Sequence, residues 1–95
     1  MGEGRDEMDY IFVFENTNSA MKAEKCLLDE NLKVTALPLP NQVGAGCGIC
    51  LKVGQEEWEA ASETLRKSQI SGICVYARDE EAGGIVYREL QDFFV

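Results

Sequence analysis

Cys47 and Cys50 stand in the run Pro38-Leu39-Pro40-Asn41-Gln42-Val43-Gly44-Ala45-Gly46-Cys47-Gly48-Ile49-Cys50, and the reactivity they offer is that of a thiol. Pro38 and Pro40 stiffen the start of this run, and Gly44, Gly46 and Gly48 free the backbone around Cys47. Glycines let a ligand or another backbone come close, and they allow turns that aim several N–H groups at one point. Such a point favours a thiolate, the reactive form of cysteine, whose ordinary pKa is about 8.5. No basic residue adjoins Cys47, so backbone groups or a partner must supply the shift. The alternative without chemistry is a small residue fitted to a tight turn.

The spacing Cys47-Gly48-Ile49-Cys50 is that of a C-x-x-C redox pair. In redox proteins the motif opens a helix, where residues three apart share a side of the first turn. Here Cys50 falls within a predicted strand, and residues three apart on a strand point to opposite faces. A disulfide needs Cα atoms within about 7 Å, whereas three extended residues span about 10 Å. Pairing would require Cys47 to fold back, so Cys50 is expected as a packed residue and only secondarily as a thiol partner.

Other chemistries are thinly supplied. The chain has no histidine, hence no Cys-His or Ser-His pair and no imidazole ligand. A structural zinc site wants four ligands, commonly in two pairs, and only one pair exists, so no metal is expected. Cys26 and Cys74 sit apart on other elements, with Cys26 near the edge of a helical stripe. There is no Walker loop and no dinucleotide fingerprint, and no cofactor is expected. Gly44-Ala45-Gly46 precedes a strand, so it lacks the helix N-terminus that phosphate sites use. Glu56, Glu57 and Glu59 are expected as a solvated helix face.

The elements that must position the loop follow from hydrophobic periodicity. Tyr10-Ile11-Phe12-Val13-Phe14 predicts a central strand buried on both faces. A helix over 18–30, capped from within Glu15–Ser19, buries Ala20, Ala23, Leu27 and Leu28. Asn31 is expected to end it, with Leu32 tucking back. Lys33–Leu37 predicts a strand ended by Pro38, and Gly48–Val53 a third with Ile49, Leu51 and Val53 on one face. A second helix opens at Gln55-Glu56-Glu57 and buries Trp58, Ala61 and Leu65. Ile73–Ala77 predicts a fourth strand, Arg78–Gly84 a polar turn, and Ile85–Tyr87 a short extra strand.

The order strand, helix, strand, strand, helix, strand predicts an α+β, ferredoxin-like βαββαβ sandwich, with an antiparallel sheet and both helices on one face. It spans 10–78, between a flexible tail over 1–9 and an extension over 79–95. The helix-free face is expected to carry Tyr10, Phe12, Phe14, Cys50, Lys52, Cys74 and Tyr76. That is too apolar to stay wet. Its expected cover is the Ile85–Val95 segment or a second copy of the chain, making a homodimer.

Ninety-five residues suit one domain with one core. The net charge of -8 repels phosphate backbones, and no basic stripe offsets it, so nucleic acid is excluded as a partner. The polar first residues and the lack of a long apolar run predict neither a secretory signal nor a membrane span, and hence a cytoplasmic protein.

Tyr10–Phe14, Ser19-Ala20 through Ala23-Glu24, Pro38-Leu39-Pro40 and then Cys47-Gly48 together resemble a family of small domains described as selenium/sulfur carrier-like. The resemblance covers 10–76 and is most specific in the Pro-x-Pro segment followed by Cys-Gly. It implies that Cys47 carries a persulfide or selenopersulfide between donor and acceptor proteins, as a carrier rather than a turnover enzyme. Cys50 has no counterpart in that pattern, which keeps thiol–disulfide exchange open. The TusA-type carriers place their cysteine in Cys-Pro-x-Pro at a helix start, a motif absent here. A ferredoxin-like interaction or regulatory module without chemistry is the rival reading.

Overall fold

The computed structural model describes residues 8–44 and 48–90. Its elements are β1 (Asp9–Val13), α1 (Thr17–Asp29), β2 (Thr35–Pro38), β3 (Ile49–Gly54), a 3-10 turn (Gln55–Glu57) that runs into α2 (Trp58–Ser68), β4 (Cys74–Glu81) and β5 (Gly84–Glu89). The strands form one sheet in the order β2-β3-β1-β4-β5, with every neighbouring pair antiparallel. The class is α+β, with a five-stranded antiparallel sheet and two helices.

β1 lies between β3 and β4, and its last residues have no wet side. Ile11, Phe12 and Val13 are all buried, as is Phe14 just past the strand. Phe12 and Phe14 share a core with Ala20, Ala23 and Leu27 of α1, Ala61 and Leu65 of α2, and Leu51, Val53 and Val75 of the sheet. Both helices therefore pack on one face. Trp58 stacks on Tyr10 with centroids 4.0 Å apart and planes 13° off parallel, and reaches Phe12 at 5.8 Å.

This corrects the expected composition of the helix-free face. Tyr10, Phe12 and Phe14 face the helices. Register is the reason: residues directly opposite in an antiparallel pair share a face, and Phe12 stands opposite Leu51 and Val75 while Val13 stands opposite Cys50 and Cys74. Cys50, Lys52, Cys74 and Tyr76 are thus accompanied by Ile11 and Val13. The large rings fill the deeper space beneath the helices.

α1 begins and ends as its residues dictate. Asn16 is the N-cap, its side-chain oxygen accepting from the Ser19 N–H at 2.8 Å. Asn31 turns left-handed at φ 63, its N–H donates to Leu28 O, and the Leu32 N–H donates to Leu27 O. Those two bonds make a Schellman ending. Leu28, expected inside, is 51% exposed, because the buried stripe is Ala20, Ala23 and Leu27, and Leu28 lies one residue round from it.

β4 is longer than its apolar run. It continues through Arg78, Asp79, Glu80 and Glu81, which were expected as a turn, because β5 pairs with it as far as Glu81 opposite Gly84. Arg88 on β5 donates to Asp79 across the hairpin and also to Glu81. Cross-strand partners thus carry the polar stretch into the sheet where local apolarity alone did not.

The contrast within α1 is testable by urea unfolding. Leu27→Ala should cost about 2–5 kcal/mol and Asn16→Ala about 1 kcal/mol, whereas Leu28→Ala should fall within about 0.5 kcal/mol of the parent.

Candidate functional site

The cysteine loop is carried by the β2–β3 hairpin. Pro38 is the last paired residue of β2, opposite Ile49, rather than the residue that stops it. β2 is an edge strand, where a missing N–H is tolerated. One step further the Leu39 N–H donates to Gly48 O at 2.9 Å, so the two arms remain joined at the foot of the loop. The Val43 N–H donates to Pro40 O at 3.1 Å and closes a turn over 40–43.

Gly44 and Gly48 have φ of 88° and 98°. That region is open to glycine and costly for any residue with a Cβ. Two of the three expected loop-shaping glycines therefore do what glycine alone does cheaply. Gly46 lies outside the described residues, together with Ala45 and Cys47, the residue expected to carry the chemistry.

Cys50 is described, and it is fully buried. Its side chain lies on the helix-free face in a small core with Ile11 and Val13. The thiol donates a weak, 3.9 Å bond to Pro38 O. Leu37, Leu39, Val43, Tyr76 and Tyr87 pack over and around this core. The cover sought for the helix-free face thus comes in part from the cysteine loop itself, through Leu39 and Val43, and β5 adds Tyr87. Sequence reasoning missed this. Leu39 and Val43 are large aliphatic residues in a proline- and glycine-rich loop, but that alone does not say where they pack.

The other two described thiols do not join this group. Cys74 is exposed at the start of β4, separated from Cys50 by the intervening β1, and Cys26 is half-buried on α1. Among the described residues no group of three or more Cys, Asp or Glu side chains could hold a metal ion.

The helix-free face changes character along its length. Near the loop it is apolar. At the other end Asp9 accepts from Arg78 at 3.0 Å and lies 3.9 Å from the Lys52 ammonium, while Arg78 also reaches Glu80 at 3.8 Å. Asp9, Lys52 and Arg78 are partly shielded by the strands, so their pairs are worth more than fully wet ones, though each remains modest, whereas Glu80 is mostly exposed and its pair adds little. Tyr76 lies between the two ends. Burial, then the Glu89 carboxylate, then Cys74 push its phenol above the ordinary value of 10.0.

A raised phenol pKa means the folded chain holds its proton more tightly than the unfolded chain does. Stability is unaffected below pH 10 and falls as the pH rises from there through the folded value. Absorbance titration should show one tyrosine ionising late, and Tyr76→Phe should remove that ionisation and reduce the alkaline loss of stability. A Tyr76→Phe profile identical to the parent would contradict the assignment.

No helix among the described residues is long and apolar enough to cross a membrane. No curated protein matches the chain. Residues 9–77 match the family described as "Putative Se/S carrier protein-like", a span that takes in β1 through the middle of β4, both helices and the whole cysteine loop. The chain belongs to this Se/S carrier-like family.

Proposed function

We propose that the protein is a carrier of sulfur or selenium, loaded on Cys47. The observation that carries this reading is the match of the family over the whole hairpin bearing Cys47, joined to a loop foot that is held in register and flanked by glycines at positive φ. The frame is read as ferredoxin-like: strands β2-β3-β1-β4 stand in the order of a split βαβ sheet, with β5 added at one edge.

Loading balances without an added oxidant. The Cys47 thiolate attacks the terminal sulfur of a donor protein's persulfide. The S–S bond of the donor breaks, its thiolate leaves, and Cys47 holds the persulfide. An acceptor's nucleophile then attacks that outer sulfur and releases the Cys47 thiolate. Selenium follows the same course as a selenopersulfide. Donor and acceptor proteins are the partners this chemistry requires, and the net charge of -8 favours basic docking surfaces on them.

The complete burial of Cys50, on a strand whose alternation fixes its direction, supports a carrier over a dithiol switch. In this reading Cys50 packs the floor beneath the loop.

Incubation with a cysteine desulfurase and cysteine, followed by peptide mass spectrometry, tests the assignment. The Cys47 peptide should gain one sulfur atom that a reductant removes. Cys47→Ala should abolish the gain, and Cys50→Ala should retain it. No gain, or an equal gain in Cys47→Ala, would falsify the reading.

A further inference from the structure

β5 is an edge of the sheet among the described residues, and it lies wholly beyond the span 9–77 that matches the family. The two edges differ. β2 is 4 residues long, ends on Pro38 and runs into a segment that packs back on the sheet. β5 pairs with β4 in unbroken register over 6 residues and carries no proline. Its middle, Ile85-Val86-Tyr87, is uncharged, and Ile85 is 38% exposed. Short length, proline and bulges are the usual guards against a further strand, and β5 has none of them. In an antiparallel pair the opposed residues alternate between exchanging two backbone bonds and exchanging none. The Leu90 N–H donates to Val75 O, so Leu90, Arg88, Val86 and Gly84 bond toward β4, and Ile85, Tyr87 and Glu89 turn their N–H and C=O groups outward.

We propose that β5 pairs with β5 of a second copy of the chain, antiparallel about a two-fold axis at Val86, making one continuous sheet of two five-stranded halves. An axis perpendicular to the sheet keeps the helices of both copies on one side and pairs residues of like face. At Val86 it sets Ile85 opposite Tyr87 of the second copy. Both are outward-bonding positions, so backbone bonds form on each side of the axis, and Val86 meets its own counterpart. Arg88 of the second copy stands opposite Gly84, whose missing side chain leaves the row open toward Glu81. An axis at Tyr87 pairs as many residues but sets Ile85 against Glu89 and Val86 against Arg88, apolar against charged. Residue matching thus selects a second copy and its register together. The net charge of -8 on each copy opposes their approach, and physiological salt screens that repulsion within about 8 Å. The β2 edges, with their cysteine hairpins, become the outer margins of the joined sheet, clear of the pairing. The pairing itself does not rest on the carrier reading.

Sedimentation equilibrium of the full chain over a concentration series should show the mass rising from one chain toward two. Ile85→Pro removes an outward N–H that β4 does not use and should raise the dissociation constant at least about tenfold. Leu28→Ala, at an exposed position on α1, should leave it unchanged. Should Ile85→Pro not fold, Ile85→Lys, which places a charge at the edge, decides in its place. Register is read from Val86→Cys treated with diamide, since opposed residues at an unbonded position have Cα atoms about 4.5 Å apart, within disulfide reach. Peptide mass spectrometry should find a linkage between copies at position 86, and Tyr87→Cys should give none at 87. A parent that stays single at every concentration would leave the edge to some other strand and overturn the proposal. Undiminished association in the Ile85 variant, an equal loss in Leu28→Ala, or linkage at 87 in place of 86 would overturn it as well.

Discussion

β1 is the constraint on which the other elements depend. Four consecutive residues, Ile11 to Phe14, are buried, with Phe12 and Phe14 under the helices and Ile11 and Val13 on the other side. A strand whose two faces are both filled cannot slip by one residue, because a slip would exchange the faces. A phenylalanine would then be driven into the shallow side and a valine left in the deep one. β3 and β4 take their registers from β1, and β2 takes its own from β3. The foot of the cysteine loop is therefore fixed from the middle of the sheet outward.

The two faces divide the work. On one, α1 and α2 press alanines and leucines onto the strands, and Trp58 lies flat against Tyr10 to seal the edge. That face supplies most of the buried apolar area and so most of the stability. The other face holds a small core of three residues with partial cover. Two of the five residues that cover it, Leu39 and Val43, belong to the segment that follows β2, so packing on this face also fixes the course of 39–43.

Much of this was legible in the sequence, for stated reasons. The apolar run Tyr10–Phe14 marked the central strand, the helical stripes marked α1 and α2, and Asn31 followed by Leu32 marked a Schellman ending, because each is a local pattern with a local cause. Facing was not legible for β1. A run apolar at every position carries no alternation, and only pairing with β3 and β4 decides which residues lie under the helices. The length of β4 was hidden for a related reason: Arg78 to Glu81 are polar, and the cross-strand partners that hold them are supplied by β5. At the candidate site, glycine's presence marked where the backbone would be free, without saying that Gly44 and Gly48 take positive φ, and a strand position marked Cys50 as a packed residue. Leu39 and Val43 did not stand out, since nothing nearby in the chain shows that a loop residue will reach back to the sheet.

In the proposed carrier one sulfur, Cys47, is set apart from the other three by its loop. Competition labelling of the native protein with a limiting alkylating reagent, resolved by peptide, compares all four in one tube. Cys47 should be modified first and the buried Cys50 last. Four uniformly slow thiols, or a Cys47 no faster than buried Cys50, would contradict it.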